Sequence, residues 1–299
     1  MNKLGIFVNF WEKSWKINYP HYIDKAARLG YDVLEFQAQP LLEMSDGECR
    51  KIKRYADDAG IELSYSLGLN KRYDIANPDR YVRAGGIQYL SDIVRKIAVM
   101  DGELFSGVTY NGWGVPDFFV DENGKRELFA RSVDSMKQVM KVAEKEGVTV
   151  CVEAVNRFES ALINTAKEAL QYADAVGSKN LGIHLDSYHM NIEENCMGDA
   201  IRLVGKRLRH FHTGDNNRNI PGRGHIDFDE IFRALKDIDY KYSIVSEPFL
   251  QMGNEVGYDI RVWRDILDDP TEARLDEGAK ELLDFTRNML KKHGMAEKP

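Results

Sequence analysis

Val148-Thr149-Val150-Cys151-Val152-Glu153, Leu181-Gly182-Ile183-His184-Leu185-Asp186, Leu208-Arg209-His210-Phe211-His212 and Tyr242-Ser243-Ile244-Val245-Ser246-Glu247 are four apolar or β-branched runs of strand length. Each stops at a residue able to bind a metal, and polar or turn-forming residues follow. Four ligand types at the same end of four consecutive strands describe one site.

The same alternation runs through the rest of the chain. Strands are expected at Leu4–Asn9, Val33–Phe36, Glu62–Ser66 and Leu104–Val108, ahead of the four quoted runs. Between them fall helices over His21–Leu29, Asp46–Ala59, Asn77–Met100 with Pro78 in the first turn, and Glu127–Glu146. Gly30, Gly60 and Gly147 stand where three of these must stop. Later helices are expected over Thr165–Val176, Met197–Lys206 and Asp227–Ile238, and a last amphipathic one over about 271–293. Eight strands alternating with helices argue an α/β fold, a (β/α)8 TIM barrel, because parallel pairing requires a crossover each time. We expect a single domain over residues 1–299, with the C-terminal helix packed on the barrel. An open doubly wound sheet is the alternative, but it would spread the four ligands too far apart to share one ion. No Gly-x-Gly-x-x-Gly follows a strand and no Gly-x-x-x-x-Gly-Lys loop is present, so no nucleotide cofactor is expected.

Composition narrows the function classes. With 43% hydrophobic and 30% charged residues the chain can bury a sizeable core. A net charge of −7 without a basic stripe argues against nucleic acid, and no apolar run approaches the length that spans a membrane. Three scattered cysteines and an N-terminus that enters a strand pattern at once suit a cytoplasmic protein.

Glu153, Asp186, His212 and Glu247 form a hard, mostly oxygen ligand set, suited to Mn²⁺, Mg²⁺ or Co²⁺ rather than a structural zinc. Taken singly, any of the acids reads as a helix cap or an ion-pair partner. Side chains two apart share a strand face, so Cys151, His184, His210 and Val245 should point inward one layer deeper. Cys151 then reads as a packing residue. His210 reads as a hydrogen-bonded interior histidine in preference to a ligand.

The loops beyond these strands carry Glu153-Ala154-Val155-Asn156-Arg157-Phe158-Glu159, Asp186-Ser187-Tyr188-His189-Met190-Asn191-Ile192-Glu193-Glu194, His210-Phe211-His212-Thr213-Gly214, Pro221-Gly222-Arg223-Gly224, Glu247-Pro248-Phe249 and Val262-Trp263-Arg264-Asp265. This set resembles the ketose 3-epimerases, typified by D-tagatose 3-epimerase and D-allulose (D-psicose) 3-epimerase, within the xylose-isomerase-like barrels. The resemblance runs from Gly5 to the last helix. It implies one divalent ion per subunit, Mn²⁺ or Co²⁺ with Mg²⁺ as a third candidate, held by Glu153, Asp186, His212 and Glu247. It also implies that Glu153 and Glu247 are the catalytic pair, epimerising a free ketose at C3 through a cis-enediolate.

By the same resemblance Glu159, His189 and Arg218 hold the O1 to O3 end of a ketose, in a homodimer or homotetramer. Phe7, Trp15, Trp113 and Gly107 are candidates for the far end of the sugar. Ser66-Leu67-Gly68-Leu69-Asn70 and Ser106-Gly107-Val108-Thr109 depart from the turns usual in the family, which places the difference near C4 to C6. The sugar pair could be D-fructose/D-allulose or D-tagatose/D-sorbose. Two alternatives stay open: an aldose–ketose isomerase or other enediolate-forming sugar enzyme, and a phosphodiesterase of the abasic-site endonuclease type. The second normally needs more histidines and a basic groove.

Overall fold

Strand β1 (Leu4–Phe7) pairs in parallel with both β2 (Val33–Gln37) and β8 (Ile244–Ser246), and so closes the sheet on itself. Between them β3 (Glu62–Gly68), β4 (Leu104–Val108), β5 (Thr149–Ala154), β6 (Leu181–Asp186) and β7 (Leu208–Thr213) follow in chain order around the barrel. These features come from a computed structural model that describes residues 2–117 and 119–295. The crossovers are α1 (Tyr19–Leu29), α2 (Asp46–Asp58), α3 (Arg80–Val99), α4 (Glu122–Glu146), α5 (Ala166–Val176), the pair α6 (Ser187–Glu193) and α7 (Met197–Val204), and α8 (Phe228–Asp237). A short α9 (Glu255–Asp259) and the long α10 (Glu272–Lys292) complete the chain. Among the described residues no helix is long and apolar enough to cross a membrane.

Several boundaries differ from the sequence expectation for local reasons. Strand β1 ends at Phe7 because Val8–Phe10 winds into a 3₁₀ turn. Asp79 accepts the Tyr81 N–H at 2.8 Å and starts α3 after Pro78, which therefore lies outside the helix. Asp121 does the same for Gly124 at 2.8 Å, and α4 begins five residues before the expected Glu127. Helices α6 and α9 occupy segments that read as loops.

The outer face of the barrel is apolar, with Ile6, Leu34, Phe36, Tyr65, Phe105, Val152, Leu185 and Phe211 buried against the helices. Its interior is apolar at the level of Gly5, Val33 and Val245 and polar toward the C-terminal mouth. Ser106 of β4 reaches His184 of β6 at 2.8 Å, and Glu35 of β2 reaches His210 and His212 of β7, contacts that must cross the lumen because these strands are not neighbours. A bulge sets the phase of β7: Ile183 is level with Leu208, but His184 is level with His210 and Asp186 with His212. Without the extra residue, Arg209 would lie beside His184 and Phe211 beside Asp186.

Two buried anchors hold the periphery. Lys25 of α1, 4% exposed, pairs with Glu272 at 2.7 Å and Asp276 at 3.1 Å, tying α10 to the barrel wall. Behind β5, the buried Tyr110 hydroxyl lies 2.9 Å from the Glu153 carbonyl oxygen and 3.2 Å from that of Ile163. Ser132 of α4 bonds the Tyr110 carbonyl and, at 2.7 Å, the hydroxyl of Tyr172 on α5. The end of β5 is thus fixed by hydrogen bonds that have no water to replace them. Tyr110→Phe should lower stability by about 1–2 kcal/mol, the cost of leaving a buried acceptor unpaired, read as a shift of the urea midpoint at unchanged m-value.

Candidate active site

Glu153, His189, His212, Arg218 and Glu247 meet in the wall of a cavity of ≈ 540 Å³ at the C-terminal mouth of the barrel. Glu159, Trp15, Trp113 and Gly107 line the same cavity. Each side chain arrives from the end of a strand or from the segment directly after it, His189 from the first turn of α6, where this architecture places its chemistry.

Three carboxylates converge here. Glu153, Asp186 and His212 each present a ligand atom within 4.8 Å of the others. Glu247 follows directly after β8, and its Oε2 lies 3.6 Å from His212 Nδ1. Arg218 Nη1 donates to Asp186 Oδ2 at 2.8 Å and Glu247 Oε2 at 2.9 Å. Its guanidinium stacks on Tyr188, 3.9 Å from the ring centre, with Phe249 at 5.3 Å. Burial, reinforced by the negative charge of Glu247, pushes the Glu153 carboxyl well above the usual carboxylate range.

The residues fit a divalent cation. His212 Nδ1 is buried without a hydrogen-bond partner and is the ring atom that faces Glu247. Oxygen donors with one imidazole nitrogen match a hard or borderline metal. Asp186 combines the two roles its sequence left open, helix cap and ion-pair partner: Oδ1 caps α6 by accepting the Tyr188 N–H at 2.8 Å, while Oδ2 accepts from Arg218 Nη1 at 2.8 Å.

His189 is held from both ring nitrogens. The Asn156 backbone N–H donates to its Nδ1 at 3.1 Å, and Arg218 Nη2 lies 3.1 Å from Nε2, which is also 3.6 Å from Glu153 Oε1. Burial and the nearby Arg218 charge bring its pKa down to about 3. Glu159 accepts from Trp113 Nε1 at 2.9 Å and from the Asn156 side chain at 3.1 Å, so one carboxylate aligns an aromatic wall and a polar one. Trp15 closes the mouth, its indole N–H donating to Asp259 of α9 at 2.8 Å.

Comparison with known proteins gives a consistent answer. The family model described as "Xylose isomerase-like TIM barrel" matches residues 23–287. The D-psicose 3-epimerase of Ruminiclostridium cellulolyticum is 42% identical over 97% of this chain and 99% of its own, and that of Agrobacterium fabrum is 38% identical over 96% and 99%. A crystal structure of D-psicose 3-epimerase with D-tagatose from Clostridium cellulolyticum superposes with a TM-score of 0.93 at 41% identity, covering 96% of this chain and 99% of that one. The chain belongs to the ketose 3-epimerases of the xylose isomerase-like barrels. It is therefore an isomerase by family.

One expected contact is absent and one residue was missed. Phe7, expected against the sugar, is 1% exposed and lies outside the cavity wall, packed edge-to-face on Phe249 in a small apolar cluster with Val256 and Val262. Its place in the wall is taken by Phe249. Glu35, fully buried in the middle of β2, went unnoticed in the sequence although it is a charged residue inside the apolar run Val33-Leu34-Glu35-Phe36. It accepts from Ser64 Oγ at 2.7 Å and lies 2.7 Å from His212 Nε2 and 2.8 Å from His210 Nε2. Burial opposes its ionisation, but the two imidazoles outweigh it and hold the carboxyl well below the usual range. His184, His210 and His212 stack edge to face around this point, and burial holds the first two below the usual imidazole range.

The loop that delivers Arg218 depends on Asp215. This fully buried carboxylate accepts the N–H groups of Gly222 at 2.9 Å, Gly224 at 2.8 Å, Asn216 at 2.8 Å and Ile226 at 3.4 Å. Arg218 itself sits at φ 63°, a left-handed conformation unusual for a side chain of this size. Asp215→Ala should cost about 1–3 kcal/mol or more through the orphaned amides and reduce turnover together with stability, as measured by urea unfolding and steady-state kinetics.

Proposed function

We propose that this isomerase epimerises a free ketose at C3, with a divalent ion held by Glu153, Asp186, His212 and Glu247. The observation that carries the reading is the pairing of an orphaned, buried His212 Nδ1 with the carboxylates of Glu153, Asp186 and Glu247 at the wall of one sugar-sized cavity. The proton on the carbon next to a ketone is too weakly acidic for a carboxylate alone. A bound divalent ion would supply positive charge against the negative charge that develops on the ketose as its C3 proton leaves.

The residues of the chain do the proton work. Inversion at C3 requires a base on one face and an acid on the other. Glu153 and Glu247, at the ends of β5 and β8, take these roles; one removes the C3 proton, the other returns a proton to the opposite face, and the reverse reaction exchanges them. His189 and the guanidinium of Arg218 hold the O1 to O3 end of the ketose, and Glu159 accepts from one of its hydroxyls. Trp113 offers an apolar face to the far end. The names of the relatives support D-allulose and D-fructose as the sugar pair, Mn²⁺ or Co²⁺ is the ion, and the active form is a homo-oligomer.

Incubating a ketose panel in D₂O with metal-stripped protein, before and after adding Mn²⁺, tests the reading by NMR. Metal-dependent deuterium at C3 together with the C3 epimer supports it, and the fastest sugar identifies the substrate. Deuterium at C1 or C2 instead moves the activity to aldose–ketose isomerisation. Glu153→Gln and Glu247→Gln should each lower turnover by ~10²–10⁴-fold or more, and robust turnover in either variant rules out the two-glutamate mechanism.

A further inference from the structure

Beneath the four ligands lies a residue that no part of the reaction uses directly. Glu35 is 0% exposed, as are His184 and His210, while His212 is 1% exposed. Its two oxygens are divided between two imidazoles: Oε1 is 2.7 Å from His212 Nε2 and Oε2 is 2.8 Å from His210 Nε2. A carboxylate between two ring nitrogens is satisfied only if both nitrogens carry a proton, since an unprotonated Nε2 would set a lone pair against a charged oxygen at hydrogen-bond distance. The two Nε2 atoms lie 2.9 Å apart; with both protonated this contact is not a hydrogen bond, and the two N–H bonds diverge to separate oxygens of Glu35.

The consequence for His212 is specific. A proton kept on Nε2 leaves the Nδ1 lone pair available, and Nδ1 is the buried atom without a partner that faces Glu247. Ser64 Oγ donates to Glu35 Oε2 at 2.7 Å and fixes the carboxylate from a third side. The bulge at Arg209 brings both histidines into line with β6, and without it neither ring would lie in this register.

We infer that Glu35 is a positioning residue for the metal centre: it holds the proton of His212 on Nε2 and so presents Nδ1 to the ion, acting from the opposite side of the barrel through β2. The inference rests on the metal reading given above. A glutamine in its place offers one acceptor and one donor to two imidazoles that both need an acceptor. Either the donor meets an N–H, or one ring moves its proton to Nδ1, and for His212 that blocks the ligand atom.

Three measurements on metal-stripped full-length protein test this: the Kd for Mn²⁺ by EPR of the free ion, the visible spectrum of the Co²⁺ form, and kcat and KM separately at saturating Mn²⁺. For Glu35→Gln the Mn²⁺ Kd should rise ~10–100-fold, the range found when a carboxylate supporting a metal-bound histidine is lost. The Co²⁺ bands should shift, and at saturating metal kcat should fall more than KM rises. Ser64→Ala, which removes only the third contact, should leave the Kd within about threefold, a weaker effect than losing the carboxylate that holds the ligand itself. Should the glutamine variant fail to fold, Glu35→Asp decides the case, because it keeps the charge but withdraws it by one methylene: a raised Kd supports the inference, and a wild-type Kd overturns it. A folded Glu35→Gln protein with wild-type Kd and an unchanged Co²⁺ spectrum overturns it alone. Wild-type protein that binds no Mn²⁺ overturns the metal reading and this inference together.

Discussion

Like charges confined in a small volume are the constraint around which this barrel is built. Glu153, Asp186 and Glu247 share one end of the lumen, and Arg218 is the cation that bonds two of them. Carboxylates brought this close from water would repel one another and swing outward unless their backbones were fixed. The surrounding structure supplies that fixing: Tyr110 and Ser132 lock the end of β5, the α6 cap engages Asp186, and the Asp215 knot sets the loop of Arg218. The energetic conflict is confined to the mouth of the barrel. The outer face of the sheet, packed with aliphatic and aromatic side chains, carries the stability that offsets it.

A second layer of polar groups lies under the first. Barrels of this class fill their lumen with side chains in tiers, and here the polar groups below the four strand-end residues include Glu35, Ser64, Ser106, His184 and His210. An apolar tier would pack as well but could not dictate which nitrogen of a histidine carries its proton. The strand-end side chains therefore rest on a hydrogen-bonded floor, and their orientation is settled before any substrate arrives.

Much of this was legible in the sequence. The strand order and the meeting of four strand-end side chains at one mouth follow from β-branched runs that stop on a carboxylate or an imidazole, and the family was legible in the loops that follow them. Other features depend on contacts distant in sequence. The start of α4 was hidden because Asp121-Glu122-Asn123-Gly124 reads as a turn, and only the Asp121 cap shows that it is helical. Helix α6 was missed because its cap is Asp186, a residue already assigned to the site. Glu35 stands out as a charge inside an apolar run, but its role depends on partners distant in sequence, His212 being 177 residues away. The Phe7 expectation failed by one layer, since Phe249 from the far end of the chain covers it.

Gly107 bears on how this pocket could change over evolutionary time. Its φ is 110°, and a Cβ there would stand 2.4 Å from the Leu67 carbonyl oxygen. No mutational path can narrow the cavity at that point without first remodelling two adjacent strands. Neighbouring wall positions such as Ser66 and Asn70 are not subject to that backbone restriction. New sugar preferences in this lineage would therefore arise around a fixed backbone window, through exchanges at its frame.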